Sequence, residues 1–195
     1  MTTMNTQWMR AAEQGDLETM RDVLLGGVDL NMQDANGRTA MMAAAYNNQI
    51  AAFEWLVNEG ADVNIRDNRL DNPFLYAGAE GLIEILKLSI KAGADTRMTN
   101  RFGGTALIPA ADRGHVEIAK LLLTTTDVNV NHVNNLGWTA LIEAVILGDG
   151  GPKHQQIVKL LLEHGADPNI TDNDGVTPLS HAALRGYGEM IAMLS

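Results

Sequence analysis

The sequence predicts an all-α solenoid of about six repeated helix-turn-helix units, and one recurring phrase is the main evidence. The phrase begins with Thr or Asn, continues through small and apolar residues and has Ala at its sixth position. Its five copies begin at Thr39, Asn72, Thr105, Thr139 and Thr177. Successive copies are 33, 33, 34 and 38 residues apart. A period near 33 residues is typical of a solenoid, in which each small unit buries its apolar face against its neighbours.

Each repeat shows the same helix signals in the same order. The Thr or Asn that opens the phrase is a preferred N-cap residue for the first helix, and the small residues that follow let neighbouring helices approach closely. A residue suited to a positive φ then ends the first helix. The residues at this place are Gly15, Asn48, Gly81, Gly114, Gly148 and Gly186. A second apolar helix ends in a segment rich in Gly, Asp and Asn, which predicts an exposed hairpin.

These motifs resemble the ankyrin repeat, in the form found in bacterial proteins, and the resemblance covers nearly the whole chain. It implies a single domain over residues 1–195, with helix pairs that are joined by β-hairpin loops. The units span about 5–34, 35–67, 68–100, 101–134, 135–172 and 173–195. No copy of the phrase keeps the His of the family's Thr-Pro-Leu-His, and Leu70 replaces a hairpin Gly. Both departures concern the hairpins and leave the predicted fold unchanged.

The fifth repeat is longer than the others by about four residues, and the added length falls between Leu147 and Gln156. Three Gly residues and Pro152 exclude a regular helix through this segment. Insertions on one face of a solenoid often have a function. The alternative is a solvated loop with a helix start after Pro152, because loops tolerate added length at small cost.

The sequence also predicts how the first and last helices begin and pack. The first six residues are polar, so we expect the first helix to start at Gln7 and Trp8, and we expect Trp8 and Trp55 to pack in the core. The chain stops inside the second helix of the last unit. We therefore expect little cover for the apolar side chains of that helix, which a longer chain or self-association would supply. These residues are Met190, Ile191, Met193 and Leu194.

Composition narrows the class of protein. Hydrophobic residues form 46% of the chain, which is enough for a continuous core, and the formal net charge is −10. This acidic balance argues against binding to nucleic acid or to an anionic membrane surface, because both require clustered Lys and Arg. No segment reaches the roughly 18 apolar residues of a membrane span. We therefore expect a cytoplasmic protein, with a removed secretory signal as the alternative.

The sequence lacks the motifs of catalysis and metal binding. It has no Cys, which excludes disulfides and Cys-ligated zinc. The five His residues share no metal-ligand spacing on one helix, and the segment Asp172–Gly175 lacks the Glu that would complete a calcium loop. No phosphate loop or nucleophile elbow occurs. The sequence therefore predicts a protein that is not an enzyme and holds no cofactor or metal.

The resemblance also implies where a partner binds, because hairpin tips and the exposed ends of first helices line the concave face of ankyrin proteins. The candidate residues at these positions are Arg38, Tyr46, Arg69, Phe102, Arg113, Leu136, Trp138, Ile146 and Leu147. The fifth repeat stands out, because it places four apolar residues with Trp138 at their centre where polar residues are usual. Exposed apolar patches usually mark binding surfaces. The alternative is that the long loop folds over Ile146 and Leu147 and buries them.

The predicted function is therefore a protein-interaction module, which binds an unknown protein partner through its concave face. A self-associating structural protein and a regulatory subunit of an enzyme are the alternatives. We expect a monomer, and weak self-association through the C-terminal helix is the alternative that the uncovered helix suggests.

Overall fold

The structure is a computed structural model that describes residues 3–195, in which all regular elements are α-helices. The chain contacts divide it into two compact units. Unit 1 runs to Ala77 and includes Leu82–Asp95, and unit 2 comprises Gly78–Gly81 and Thr96–Ser195. The predicted all-α repeat architecture is confirmed, whereas the grouping of all repeats into one domain stays a prediction.

Unit 1 is built from successive helix pairs. Its helices are α1 (Thr3–Gln14), α2 (Leu17–Leu25), α3 (Ala40–Tyr46), α4 (Ile50–Asn58), α6 (Ile83–Lys91) and most of α5 (Pro73–Glu80). Within this unit α1 packs on α2 and α3, and α4 packs on α2, α3 and α6. First helices therefore stack on first helices, and second helices on second helices, as expected for a repeat array.

Unit 2 repeats the same arrangement. Its complete helices are α7 (Leu107–Asp112), α8 (Val116–Thr125), α9 (Ala140–Ile146), α10 (Pro152–Glu163), α11 (Pro178–Arg185) and α12 (Gly188–Leu194). The first helix α9 packs between α7 and α11, and the second helix α10 contacts α8 and α12. Helix α10 begins at Pro152, so the helix start expected at the end of the inserted loop is confirmed. A function of the insertion stays a prediction.

Four of the five predicted N-caps are present. The side chains of Thr39, Thr139 and Thr177 each accept a hydrogen bond from the amide three residues later, and Asn72 does the same. Thr105 does not, so its predicted role as a cap is wrong. Its buried hydroxyl has no hydrogen-bond partner within residues 3–195.

The exception at Thr105 has a cause four residues further along. In the other copies of the phrase, the amide at the fifth position donates to the carbonyl oxygen of the first residue. Pro109 occupies that position here and has no N–H. The Thr105 carbonyl oxygen instead accepts a bond from the amide of Ile108 at 3.2 Å. The first turn is therefore tighter, and α7 begins only at Leu107.

The ends of the first helices confirm the predicted positive φ in every repeat except the fifth. Asn48 has a φ of 51°, and the Gly residues of the other repeats are also left-handed. In the fifth repeat the left-handed residue is Gly150, with a φ of 71°, and not Gly148 as predicted. The inserted residues explain the difference, because they move the turn two residues away from the end of α9.

The hairpin that contains Leu70 keeps the geometry of its neighbours. The Leu70 amide donates to the Asp67 carbonyl oxygen at 2.9 Å, as Gly37 donates to Asp34 in the preceding hairpin. To make this turn, Leu70 adopts a φ of 63°. A left-handed conformation costs a residue with a Cβ about 1–2 kcal/mol. Leu70 in place of the usual Gly therefore leaves the hairpin geometry unchanged and introduces local backbone strain.

Replacement of Leu70 by Gly is expected to raise the free energy of unfolding by about 1 kcal/mol. Gly removes the strain at this φ, although the greater freedom of the unfolded chain offsets part of the gain. Little burial is lost, because Leu70 is an exposed side chain. Urea denaturation would measure the change. The matched control is Leu70→Ala, which keeps the Cβ and the strain. Equal stability of the two variants would contradict this explanation.

Two predictions about the ends are wrong. Helix α1 begins at Thr3, before the predicted start at Gln7. The expected lack of cover at the C-terminal helix is wrong for Met190 and Leu194, which are buried one turn apart in α12, a helix that packs against α10 and α11. Ile191 and Met193 are partly exposed. In the last repeat, Leu184 on α11 is a large apolar side chain with 82% of its surface accessible.

The two tryptophans of the first repeats pack against each other. Trp8 is fully buried, and Trp55 is partly exposed. Their ring centroids lie 6.2 Å apart in an edge-to-face arrangement, a favourable geometry for aromatic pairs. The prediction of a core position is confirmed for Trp8, and Trp55 covers the edge of that core.

Candidate functional site

The nine predicted partner-binding residues are distributed over both units. Three belong to unit 1: Arg38, Tyr46 and Arg69. Six belong to unit 2: Phe102, Arg113, Leu136, Trp138, Ile146 and Leu147.

Arg38 is held in an ion pair within unit 1. Its Nη2 lies 2.7 Å from Asp34 Oδ2 and 3.7 Å from Glu13 Oε1. Burial acts to raise the pKa of Asp34, but hydrogen bonds from the Arg38 side chain and backbone outweigh it and lower that pKa. The Arg38 guanidinium therefore stabilises its own hairpin.

Tyr46 is also engaged within unit 1. Its hydroxyl donates to Asp67 Oδ2 at 2.8 Å, and its ring meets that of Tyr76 edge to face at 4.4 Å. Burial, followed by the hydrogen bond to Asp67, raises the pKa of Tyr46. Arg69, which lies on the hairpin that contains Asp67, is exposed. Of the three candidates in unit 1, Arg69 is the one most accessible to a partner.

Arg113 joins two neighbouring repeats within unit 2. Its Nη1 donates to the Ala79 carbonyl oxygen at 2.7 Å and to Glu80 Oε1 at 2.6 Å. Both side chains of the ion pair are nearly half exposed, and exposed pairs of this kind contribute little to stability. Arg113 remains accessible at the end of α7.

Two large apolar side chains project from successive hairpin tips of unit 2. Phe102 is 53% exposed and Leu136 is 51% exposed. Each backbone amide donates at 2.9 Å to an Asn side chain at the base of its hairpin, Asn100 or Asn134. The guanidinium of Arg101 lies 4.6 Å from the centroid of the Phe102 ring, within the range of a cation–π interaction. The tips are therefore held in place while their side chains face solvent.

The end of α9 adds further apolar surface. Leu147 is 49% exposed, and Ile146 and Trp138 are partly exposed. The inserted loop therefore leaves Leu147 open, contrary to the alternative in which the loop buries this residue. The name apolar surface denotes five side chains of unit 2: Phe102, Leu136, Trp138, Ile146 and Leu147.

The inserted loop is fixed by contacts that lie outside the apolar surface. The Tyr187 hydroxyl donates to the Gly148 carbonyl oxygen at 3.0 Å. His154 Nδ1 lies 2.9 Å from Asp149 Oδ1, and His154 Nε2 lies 2.8 Å from the Asp112 carbonyl oxygen. The loop is thus an ordered connection between repeats, which sets the position of Leu147.

Sequence reasoning missed one polar residue beneath the apolar surface. Glu143 on α9 is 7% exposed, and its Oε1 accepts a hydrogen bond from Asn134 Nδ2 at 2.7 Å. Burial, reinforced by the negative charge of Asp112, raises the pKa of Glu143 to about 7. The sequence did contain a signal for this residue, because Glu143 is the one acidic residue at the fifth position of the recurring phrase. The other copies have Ala43, Tyr76, Pro109 and His181 at that position.

Other features of the described residues lie apart from these side chains. A cavity of about 450 Å³ lies beside α10 and Met193, and none of the nine candidates lines it. In the described part of the chain, no group of three or more acidic or His residues could hold a metal ion. No helix within residues 3–195 has the length and apolar character needed to cross a membrane.

Stacked helix pairs with side chains displayed on successive hairpins define a repeat solenoid, a class that presents extended binding surfaces. Models of ankyrin repeats match residues 8–88, 74–172 and 152–194. The chain belongs to the ankyrin repeat family, which is a family of non-catalytic protein-interaction modules. The fold class that the motifs predict is thereby confirmed.

Similar proteins occur in bacteria. The ankyrin repeat protein YahD of Escherichia coli is 43% identical over 96% of this chain and 93% of its own length. The crystal structure of an ankyrin repeat domain from Acinetobacter baumannii is 52% identical, with a TM-score of 0.93, and covers 95% of this chain and 94% of that one. A second ankyrin repeat crystal structure is 40% identical, with a TM-score of 0.93, and covers 99% of this chain and 98% of that one.

Proposed function

We propose that this protein binds a protein partner through the hairpin and first-helix face of its fourth and fifth repeats, and that it does so in the cytoplasm. The observation that carries the proposal is the apolar surface, in which Phe102, Leu136 and Leu147 are about half exposed and Trp138 is partly exposed. Membership of a family of interaction modules supports the same function.

Two physical arguments favour binding at this place. Exposed apolar side chains on neighbouring elements gain free energy when a partner removes them from water. The hairpin backbone is also fixed in advance, because Asn134 Oδ1 accepts bonds from the amides of Leu136 and Trp138 at 2.9 and 3.0 Å. A preorganised surface loses less entropy when the partner binds.

Self-association is the second candidate, and the exposed side chain of Leu184 favours it. A surface at the last repeat would pair two copies of the chain. Sedimentation velocity at two protein concentrations separates the candidates. Our proposal expects one monomeric species at both concentrations, and a concentration-dependent dimer that Leu184→Asp abolishes would favour self-association.

A comparative pull-down tests the proposed function. Wild type and a Phe102→Ala, Trp138→Ala double variant would be exposed to lysate of the source organism, after circular dichroism has shown that both are folded. Glu54→Gln on the exposed side of α4 in unit 1 is the control variant. We expect a protein that wild type and control retain and the double variant loses. Equal retention by all three would place the interface elsewhere.

A further inference from the structure

Glu143 lies beneath the apolar surface without a cation. Its polar neighbours are an amide donor and an acid: Asn134 donates to Oε1, and Asp112 acts on it by charge repulsion. Among residues 3–195, no Lys, Arg or His forms an ion pair with Glu143, and its Oε2 receives no hydrogen bond. A carboxylate in this environment is under-solvated and gains free energy when a cation approaches.

The charged groups of the helices that pack against α9 do not pair with Glu143 within the described residues. On α10, the imidazole of His154 contacts Asp149 and a backbone carbonyl. On α11, His181 Nε2 lies 2.7 Å from Asp172 Oδ2. Asp112, at the end of α7, has the same sign of charge as Glu143. Lys153 on α10 and Arg185 on α11 are exposed, and neither forms an ion pair with Glu143 within residues 3–195.

The contacts of Glu143 join it to the apolar surface. Asn134 links its carboxylate to the backbone of Leu136 and Trp138 through three hydrogen bonds of 2.7, 2.9 and 3.0 Å. Along α9, Ile146 and Leu147 follow three and four residues after Glu143, so the three side chains share one face of the helix. Glu143 thus shares the side chain of Asn134 with the hairpin of Leu136 and Trp138, and it shares its helix with Ile146 and the C-cap residue Leu147.

We propose that this site takes a protein segment that carries a Lys or Arg, whose cation pairs with Glu143 while adjacent apolar side chains contact Trp138, Leu136 and Leu147. The inference rests on the proposed function and specifies the chemistry of its partner. The formal net charge of −10 agrees with it, because an acidic protein attracts basic partners over a longer range.

A selection from random 12-residue peptides displayed on phage tests this inference with full-length wild-type protein as bait. We expect the selected peptides to contain Lys or Arg beside aromatic or aliphatic residues. Glu143→Gln should weaken the binding of such a peptide by about tenfold or more, because a buried pair then loses one charge. Glutamine keeps the oxygen that Asn134 contacts, so the fold should be retained. Glu54→Gln should leave the affinity unchanged.

A double-mutant cycle completes the test. Replacement of the peptide's Lys or Arg by Gln should weaken binding to wild type, but should have little further effect on Glu143→Gln. Selection of no peptides, selection of peptides without basic residues, or equal affinity for wild type and Glu143→Gln would overturn the inference. If basic peptides bind but the Phe102→Ala, Trp138→Ala variant retains them, the proposed function itself fails at this surface.

Discussion

Replacement of Glu143 by Gln is expected to increase the free energy of unfolding at about pH 8 by on the order of 3 kcal/mol. The pKa of Glu143 rises from its ordinary 4.5 to about 7 in the folded protein, and each unit corresponds to about 1.4 kcal/mol. The folded state therefore holds a proton more tightly than the unfolded state. The contribution of this proton to the free energy of unfolding is fully present below about pH 4.5, and it is lost as the pH rises through about 7.

The substitution removes this dependence, because Gln is neutral at every pH. Urea denaturation at about pH 4 and pH 8 would show a variant that resembles wild type at the lower pH and exceeds it at the higher pH. Glu54→Gln, on the exposed surface of α4, provides the control and should change little at either pH. The same difference between Glu143→Gln and wild type at both values would contradict a buried, protonatable Glu143.

Replacement of Gly148 by Ala is expected to lower the free energy of unfolding by about 3 kcal/mol. An added Cβ would overlap the carbonyl oxygen of Ala144 and would lie 2.8 Å from ring atoms of His154. A backbone atom cannot move aside as a flexible side chain can, so the loop and the end of α9 would have to shift. Overpacking of this kind typically costs 1–3 kcal/mol.

Gly188→Ala is the matched control for this substitution. It lies in the same unit, and a Cβ at Gly188 meets no atom within 4 Å. We expect thermal unfolding to show a clear loss for Gly148→Ala and little change for Gly188→Ala. Equal melting temperatures for both variants would mean that the inserted loop is not fixed in the manner described.

Local sequence signals predicted the helix pairs well, because caps and turn residues act over only a few positions. The error at Thr105 was within reach of the same reasoning, since Pro109 removes the amide that completes the first turn. The displacement of the left-handed turn from Gly148 to Gly150 could not be predicted in this way. It depends on the contact between the inserted loop and Tyr187, a residue of the next repeat.

The candidate site was harder to predict, because exposure depends on contacts between residues far apart in the chain. Tyr46 occupies a position typical of a binding residue, but its hydroxyl is bonded to Asp67, 21 residues further along at the base of the following hairpin. The burial of Met190 and Leu194 depends on the packing of α12 against the preceding helices, which the local sequence does not specify. Glu143 was missed because it stands inside an apolar phrase, where its charge has meaning only once burial is known.

The affinity of the captured partner for wild type and for Trp138→Ala tests the proposed binding surface most directly. Loss of an aromatic anchor typically costs about 2 kcal/mol, which corresponds to roughly a 30-fold rise in Kd. We predict this loss of affinity with little change in melting temperature, because Trp138 is only partly buried. An unchanged Kd, or a sharp fall in the melting temperature that shows Trp138 to be a core residue, would contradict binding at the apolar surface.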